Sequence, residues 1–568
     1  MKFIDVCDVF QKIESKTGRL EIEDALAALF TKAEPAEAKA IVYFLQGVVV
    51  PPFMGIDLGV GERMLERMLA QAYGYSLDEV EKDYKQTGDL GITAERLCNH
   101  RRQMPFFTEE LHVLPLYDTL LKIARASGEG SQDRKISLGI GLFSSAKPIE
   151  ARYIARYMLN RLRLGVGDPT IMNALALSLG KPREYRENIE RAYNLCSDLG
   201  RVAEMLKQGH APEEIHMQLF SPVRPALAER LNTAEDIIAK IGPCFADAKY
   251  DGFRLQVHKS QDRVEIYSRK LERLTPMFPD LVQEIKRLDG EWIFEGEGVG
   301  VKDGRLLSFQ ETIRRRRKHN IEEAAKKLPL HLFIFDVLYK DGQPLIDQPF
   351  KTRRQIVEQL SGERLGPSEG KYVETAEELQ AFFEHCISKG LEGVVAKDPT
   401  KPYIAGARKF AWIKLKKSYG GLADTVDAVV VGYYLGKGER AGTLGGVLAA
   451  VYNPDLDRFE TIAKVGSGLS EEEMEALKNT LDSLRIPQPA SNVFTKLEVD
   501  VWVQPEVVIT IMADEITDSP LHTCAWNGHR GLALRFPRIV QIREDKGPYE
   551  ITTVKEILEM RRLQSNAQ

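Results

Sequence analysis

The hexapeptide Lys249-Tyr-Asp-Gly-Phe-Arg254 opens a series of short sequence elements in this 568-residue chain. Taken alone, it is compatible with an ordinary surface turn. Further short elements follow it in a fixed order, however, and coincidence does not account for such a series. These elements are Ser268-Arg269, Glu295-Gly-Glu297, Phe335-Asp336, Glu392-Gly-Val-Val-Ala-Lys397 and Trp412-Ile-Lys-Leu-Lys416.

The chain before about residue 215 has the apolar spacing of helices. In Ile149–Leu162, apolar residues recur at every fourth position beside a second apolar row, which predicts an amphipathic helix. A glycine pattern occurs twice, in Leu58-Gly-Val-Gly-Glu62 and in Leu164-Gly-Val-Gly-Asp168. Each glycine turn precedes a helical pattern, so it either aims backbone N–H groups at a phosphate or simply caps a helix junction.

Strand patterns begin after the proline-spaced segment Ser221–Leu227. Arg254–Lys259 and Arg263–Tyr267 alternate apolar and polar residues around a polar turn, which predicts a hairpin. Leu330–Tyr339 is almost continuously apolar and predicts a mostly buried strand.

A polar linker, Ser418–Asp424, leads into a region dominated by short strands. The pattern predicts a small barrel, with strands over Ala428–Leu435, Val447–Tyr452 and Val499–Met512. Thr553–Leu563 opens with a capping-box pattern and predicts an amphipathic terminal helix. Such a helix docks on its own domain, or else packs on the preceding domain and holds a DNA-free state.

Composition is that of an ordinary globular protein, with 43% hydrophobic and 28% charged residues. No run of about 18 apolar residues is present, and the charged N-terminus is unlike a signal peptide. Six cysteines lie far apart without a CxxC pair, which argues against a disulfide scaffold and predicts a reducing, cytoplasmic location. The net charge of −5 by itself argues against nucleic acid as a partner.

The ordered elements resemble the covalent nucleotidyltransferase superfamily, and most closely the ATP-dependent DNA ligases of the archaeal and eukaryotic replicative type. The resemblance covers nearly the whole chain. Arg535-Phe-Pro-Arg538 and Arg543-Glu-Asp-Lys546 match the last motif of the family. The resemblance implies an all-α DNA-binding domain over 1–215, an α+β nucleotidyltransferase (adenylation) domain over 216–417, and a C-terminal β-barrel OB-fold with a terminal helix over 418–568.

The family chemistry implies that Lys249 attacks the α-phosphate of ATP and forms a lysine–AMP intermediate. AMP then passes to the 5′-phosphate of a DNA nick, and the 3′-hydroxyl displaces it, as in replication, repair and recombination. The nucleophile must lose its proton, and Lys414 and Lys416, on one face of a strand, are expected to lower its pKa. The implied nucleotide-binding residues are Asp247, Arg254, Arg269, Glu297, Phe335, Arg408, Lys414, Lys416, Arg535 and Lys546.

Within this set, Glu297 suits a ribose hydroxyl and Phe335 offers an aromatic face to adenine. The resemblance also implies a divalent metal, Mg²⁺ with Mn²⁺ as a substitute, held by Glu392 and Glu297, whereas Glu295 is expected to play a supporting role. The family usually has Glu where this chain has Asp247, and the shorter side chain puts strict selectivity for ATP in question.

The implied partner is nicked duplex DNA. A second partner is a sliding clamp, because Gln103-Met-Pro-Phe-Phe107 resembles a shortened clamp-binding motif through Gln103, Phe106 and Phe107, although the same residues also suit a hydrophobic anchor.

Arg314–Lys318 contacts DNA or forms a solvated helix face. We expect a monomer with no membrane contact. The expected DNA-binding residues are Arg254, Arg269, Gly59, Gly61, Gly165, Gly167, Ser131, Arg134 and Lys135.

Two alternatives remain at this point. The first is an RNA ligase or capping enzyme, since these share the lysine motif, although they lack a helical domain of this kind. The second is a catalytically inactive scaffold that binds DNA or a clamp. The net charge no longer excludes DNA, because a protein that encircles a duplex needs positive charge only on its inner surface. The resulting spatial prediction is that a set of cations converges on one cleft: Lys249, Arg254, Arg269, Lys397, Lys414 and Lys416.

Overall fold

The structure is a computed structural model that describes residues 1–566 with several gaps. The gaps are Thr17, 104–108, Arg161, Arg163, Asp303, Ser308, 316–319, 417–424 and 437–442. Among the described residues, no helix is both long and apolar enough to cross a membrane.

The first region is helical, as predicted, and its helices share one hydrophobic core. The helix predicted from Ile149 is confirmed, although it ends at Met158. The helices are α1 (Phe3–Glu14), α2 (Arg19–Lys32), α3 (Pro35–Gln46), α4 (Glu62–Tyr73), α5 (Leu77–Thr87), α6 (Leu90–Asn99), α7 (Val113–Arg125), α8 (Ser131–Ser145), α9 (Pro148–Met158), α10 (Asp168–Ser178), α11 (Arg186–Cys196) and α12 (Leu199–Lys207).

The second region combines two sheets with helices, which confirms the α+β prediction. Its elements are β1 (Leu227–Arg230), α13 (Ala234–Ile241), β2 (Cys244–Lys249), β3 (Phe253–Ser260), β4 (Arg263–Ser268), α14 (Pro279–Lys286), β5 (Trp292–Lys302), β6 (Arg305–Leu306), α15 (Phe309–Thr312), α16 (Ile321–Lys327), β7 (Leu330–Lys340), β8 (Gln343–Pro344), α17 (Phe350–Val357), β9 (Leu365–Pro367), β10 (Gly370–Val373), α18 (Ala376–Ser388), β11 (Gly393–Lys397) and β12 (Arg408–Lys416).

The two sheets of this region carry different parts of the motif series. One sheet has the strand order β1-β12-β11-β2-β10, and its strand β2 ends at Lys249. The other has the order β4-β3-β5-β7-β8, with β6 and β9 at its margins, and contains the predicted hairpin as β3–β4. Motif residues from both sheets, among them Lys249 and Glu297, line the groove between them.

The third region is a strand barrel with a terminal helix, as predicted. The predicted strand over Val499–Met512 is two strands, because Pro505 has no N–H to donate to a ladder. The elements are β13 (Val426–Leu435), β14 (Leu444–Asn453), β15 (Arg458–Val465), α19 (Glu471–Asp482), β16 (Arg485–Ile486), β17 (Val493–Phe494), β18 (Val501–Val503), β19 (Val508–Met512), β20 (Glu515–Ser519), β21 (Gly531–Arg535), β22 (Arg538–Ile542) and α20 (Val554–Asn566).

The terminal helix α20 packs on the core of its own region through Val554, Ile557 and Met560. Its first turn also reaches the second region, where Glu556 lies 3.7 Å from the ammonium group of Lys414. The helix therefore makes both contacts that the sequence left open as alternatives.

Candidate active site

A cavity of about 1000 Å³ lies between the second and third regions. The cations that were predicted to converge on one cleft all line it, namely Lys249, Arg254, Arg269, Lys397, Lys414 and Lys416. The third region closes the cavity with Arg543 and Lys546. The acidic total charge thus does not describe this site, where basic side chains gather around the lysine beside an equal number of acidic ones.

Strand register places Lys249 beside the lysines of β12. Gly393 on β11 lies opposite both Lys249 on β2 and Lys416 on β12. Because glycine has no side chain, the two lysines approach each other across β11. Glu392, which precedes Gly393, pairs with both ammonium groups, at 2.5 Å from the Nζ of Lys249.

These carboxylates reverse one expectation from the sequence. Burial lowers the pKa of Lys249, but the charges of Glu392 and Glu297 outweigh it, so the pKa is raised and not depressed. The prediction that Lys414 and Lys416 lower this pKa is therefore wrong for the nucleotide-free arrangement. The physical reason is that carboxylates neutralise both cations, since Lys416 pairs with Glu392 and Lys414 lies beside Glu556.

The carboxylates near the nucleophile differ from each other in charge state. Burial raises the pKa of Glu392, but Lys249 and Lys416 more than offset this and hold it well below its usual range. For Glu297, burial dominates and raises the pKa to about 7. Glu297 also accepts a hydrogen bond from the backbone N–H of Gly252. One carboxylate is thus fixed as an anion, while the other changes charge near neutral pH.

Asp247 is tied into the wall of the cavity. Its carboxylate accepts hydrogen bonds from Lys397 at 2.6 Å and from Ser368 at 2.5 Å. Asp247 and Lys397 are each only 2% exposed. Lys397 also donates to the carbonyl oxygen of Phe335 at 2.9 Å and lies over its ring. The carboxylate at position 247 therefore forms a buried ion pair with Lys397.

The two arginines of the motif series have carboxylate partners. Arg254 donates to Glu295 at 2.8 Å and to the carbonyl oxygen of Ala226 at 2.7 Å, so Glu295 has the supporting place expected for it. Arg269 donates at 3.1 Å to Glu550, which belongs to the third region. Arg269 therefore joins the two regions in this arrangement.

The last motif divides between the cavity and the surface. Lys546 lines the cavity and pairs with Asp427, while burial lowers its pKa to about 8. Arg535 is 56% exposed on its side chain, pairs with Glu515 and does not line the cavity. Arg543 belongs to the same motif and lines the cavity, although the sequence predicted no role for it.

The glycine turns are built as helix entries. Gly59 and Gly165 have left-handed φ values of 57° and 64°, whereas Gly61 and Gly167 stand directly before α4 and α10. Lys135, near the start of α8, donates at 2.7 Å to the carbonyl oxygen of Leu58, which joins the residues around Ser131 and Arg134 to the first turn.

The second glycine turn contacts the third region. Ser491 donates at 3.1 Å to the carbonyl oxygen of Gly165, and the hydroxyl of Tyr549 lies against Gly167. The predicted DNA-binding turn is therefore covered by the barrel in this arrangement.

Several predicted residues lie outside what the structure describes. These are Phe106 and Phe107 beside Gln103, the side chain of Arg408 within β12, the whole linker Ser418–Asp424 with its neighbour Lys417, and the end of Arg314–Lys318. Within the described ranges, no group of three or more His, Cys, Asp or Glu side chains is arranged to hold a metal ion.

Comparison with known families assigns the chain's three parts. Residues 2–176 match the family described as DNA ligase N terminus, residues 225–416 the ATP dependent DNA ligase domain, and residues 440–546 the ATP dependent DNA ligase C terminal region.

Similarity to curated proteins extends over the full length. The chain is 44% identical to DNA ligase 2 of Korarchaeum cryptofilum, over 99% of this chain and 97% of that protein. It is 43% identical to the probable DNA ligase of Dictyoglomus thermophilum, over 99% and 98%. It is 44% identical to DNA ligase 2 of Thermofilum pendens, over 98% and 96%.

Proposed function

The chain belongs to the family of ATP-dependent DNA ligases, and from this premise we propose that it seals nicks in duplex DNA through an AMP adduct on Lys249. In the first step the Nζ of Lys249 bonds to the α-phosphorus of ATP, and pyrophosphate leaves with the electrons of the broken P–O bond. AMP then passes to the 5′-phosphate of the nick. Finally the 3′-hydroxyl attacks that phosphate and releases AMP.

The observation that carries this proposal is the convergence of Lys249 with five further cations on one cavity. Phosphoryl-type transfer depends on positioning and charge neutralisation, for which this arrangement is suited. Lys414 and Lys416 neutralise the α-phosphate, Phe335 contacts adenine, and Glu297 accepts a hydrogen bond from the ribose. Lys546 orients pyrophosphate, with Arg543 as a second cation of the same motif. Arg535 can join them only after the barrel moves, because it lies outside the cavity in this arrangement.

The acidic residues of the cavity fit a requirement for Mg²⁺, with Mn²⁺ as a substitute. Glu392 and Glu297 both lie near Lys249, since both raise its pKa. Mg²⁺ in phosphate-transfer sites is held by one or two carboxylates together with substrate phosphates. When bound, the metal neutralises charge on the phosphate oxygens. Glu392 and Glu297 would hold the metal, and a Glu392 carboxylate neutralised in this way would no longer raise the pKa of Lys249.

Nicked DNA binds to surfaces of the helical region, where the first glycine turn is exposed and the second is covered in this arrangement. We assign Gly59, Gly61, Gly165, Gly167 and the α8 residues Ser131, Arg134 and Lys135 to phosphate contacts, because the glycine turns present helix N-termini. The barrel covers the second turn, and Glu550 holds Arg269, so the barrel must move away before DNA binds. Binding through phosphates should be independent of sequence and weaken with salt.

Further proposals concern the clamp partner, the oligomeric state and the cellular location. Gln103, Phe106 and Phe107 bind a sliding clamp, on the strength of their motif resemblance. The enzyme acts as a monomer. Its location is the cytoplasm, which agrees with six free, buried cysteines.

The proposal is tested with purified enzyme, ATP and Mg²⁺ on a duplex that has a single labelled nick. We expect sealing by the wild type and none by Lys249→Ala, with the exposed-site variant Lys389→Ala as a matched control that seals normally. Single-stranded RNA with the same label serves as the competing substrate. Sealing of RNA without sealing of the nick would favour an RNA ligase and contradict the proposal.

A further inference from the structure

Arg230 is a cavity residue that belongs to none of the motifs of the sequence series. It ends β1, the edge strand of the sheet that carries Lys249, and it lines the same cavity. Strand β1 runs parallel to β12, with Arg230 directly opposite Lys414. Neighbouring residues of paired strands point to the same face, so Arg230 extends the row of cations that Lys414 begins.

Strand order indicates which part of a nucleotide this row would meet. From β2 the sheet proceeds through β11 and β12 to β1, so Arg230 is three strands away from the strand of Lys249, and Lys414 is two. At about 4.8 Å per strand, these separations are roughly 14 and 10 Å. Lys249 fixes the position of the α-phosphate, and Arg230 therefore lies farther out, toward the β- and γ-phosphates.

Arg230 is oriented and charged in this position. It is 8% exposed, and its Nε donates at 3.1 Å to Asn232. Burial lowers its pKa to about 10, against the opposing charges of Glu556, Glu392 and Asp427, so the guanidinium keeps its charge at neutral pH. A buried guanidinium that lines a cavity is suited to bidentate binding of phosphate oxygens.

An anionic group already occupies this end of the cavity. Glu556, at the start of α20, is 8% exposed and lies 3.7 Å from the Nζ of Lys414. It is also the largest charge acting on Arg230. The backbone N–H of Thr553 donates to this carboxylate at 2.8 Å, which fixes it in place. A carboxylate is thus held beside the two cations at this end of the cavity.

We propose that Arg230 binds the β- and γ-phosphates of ATP, and the pyrophosphate that leaves, and that Glu556 replaces these phosphates when no nucleotide is present. This inference rests on the proposed ligase function. It makes Arg230 specific to the first step, because AMP transfer to the nick and attack by the 3′-hydroxyl involve no pyrophosphate.

The test compares Arg230→Gln, Arg230→Lys and Glu556→Gln with the wild type. The KM for ATP is measured by formation of the labelled adduct, and its reversal is measured with added pyrophosphate. We expect Arg230→Gln to raise the KM for ATP at least tenfold, Arg230→Lys to restore part of the loss, and Glu556→Gln to lower the KM. Arg287→Gln, a substitution at an exposed arginine of the surface, is the matched control and should change neither value.

Sealing of a nick that already carries AMP separates phosphate binding from a structural role. For Arg230→Gln, we expect the loss in the ATP-dependent step to exceed the loss in this final step at least fivefold. Equal losses in both steps, or a rise in KM for Glu556→Gln as for Arg230→Gln, would overturn the inference, since both are expected if the two residues only pair with each other. If the wild type itself forms no adduct, the proposed function fails instead. If Arg230→Gln does not fold, the opposite signs expected for Arg230→Lys and Glu556→Gln decide the question.

Discussion

Replacement of Lys397 by Met should destabilise the nucleotidyltransferase domain strongly, because it removes the nearest counterion of the buried Asp247 and leaves Arg354, 3.9 Å away, as the remaining cation. Both side chains are 2% exposed, and 2.6 Å separates the ammonium group from the carboxylate. Removal of one partner from such a pair costs about 3–5 kcal/mol. The change also removes the hydrogen bond to the carbonyl oxygen of Phe335.

The measurement is unfolding in guanidinium chloride, followed by tryptophan fluorescence. Trp412 lies 4.5 Å from the Nζ of Lys397, measured to the ring centroid, so its emission reports on this domain. A second variant, Lys397→Met with Asp247→Asn, removes both charges. We expect it to recover part of the loss, with a coupling of about 2 kcal/mol, which is typical of residues in contact.

Lys389→Met is the control, because its ion pair with Glu369 is exposed and should contribute less than about 1 kcal/mol. A cost of less than about 1 kcal/mol for Lys397→Met, or strict additivity in the double variant, would refute the reasoning. Either result would mean that Asp247 finds another partner or is protonated in the folded protein.

Further predictions concern pH, strand packing and domain movement. Burial lowers the pKa of His258 to about 3, and its Nδ1 accepts the backbone N–H of Phe220. Below pH 6.5 His258 binds a proton in the unfolded chain but not in the folded one, so the free energy of unfolding falls by up to about 1.4 kcal/mol per pH unit. An unchanged dependence of this free energy on pH in His258→Asn would contradict this. Gly393→Ala should abolish adduct formation. The φ of 148° is unsuited to alanine, and the added Cβ would overlap the backbone oxygen of Leu415 on the neighbouring strand. A normal yield of adduct would contradict this. Glu550→Gln should free Arg269 and tighten nick binding by the adenylylated enzyme about fivefold, for an interdomain contact of about 1 kcal/mol, and unchanged gel-shift affinity would argue against it.

Local patterns in the sequence predicted much of this fold. Lys414 and Lys416 share a face because strand side chains alternate, and the hairpin around residue 261 follows from the same periodicity. The split of the strand after Val503 was also visible, since Pro505 lies inside the predicted run. Elements with a strong local period are therefore recoverable from the sequence alone.

Long-range placement was not predictable in the same way. Glu392 was identified as a metal ligand, but its position between Lys249 and Lys416 depends on the register of three strands. That register, with Glu297 nearby, reverses the expected pKa shift of Lys249. Arg230 enters the cavity because an edge strand pairs with a strand almost two hundred positions later, and no local pattern encodes that pairing.

Contacts between regions were the least predictable feature. Glu550 meets Arg269 across a separation of 281 positions, and Tyr549 covers the glycine turn at Gly167. Each partner is polar or small, and either would be compatible with an exposed loop. Such contacts depend on how whole domains are arranged, which local sequence does not specify.

Lys249 is proposed to carry AMP between ATP and a DNA nick. Mass spectrometry of peptides from enzyme incubated with ATP and Mg²⁺, before and after addition of nicked duplex, tests this role. We expect an AMP adduct on the peptide that contains Lys249, discharged by nicked DNA and not by intact duplex. An adduct on another residue, or an adduct on Lys249 that nicked DNA fails to discharge, would contradict it.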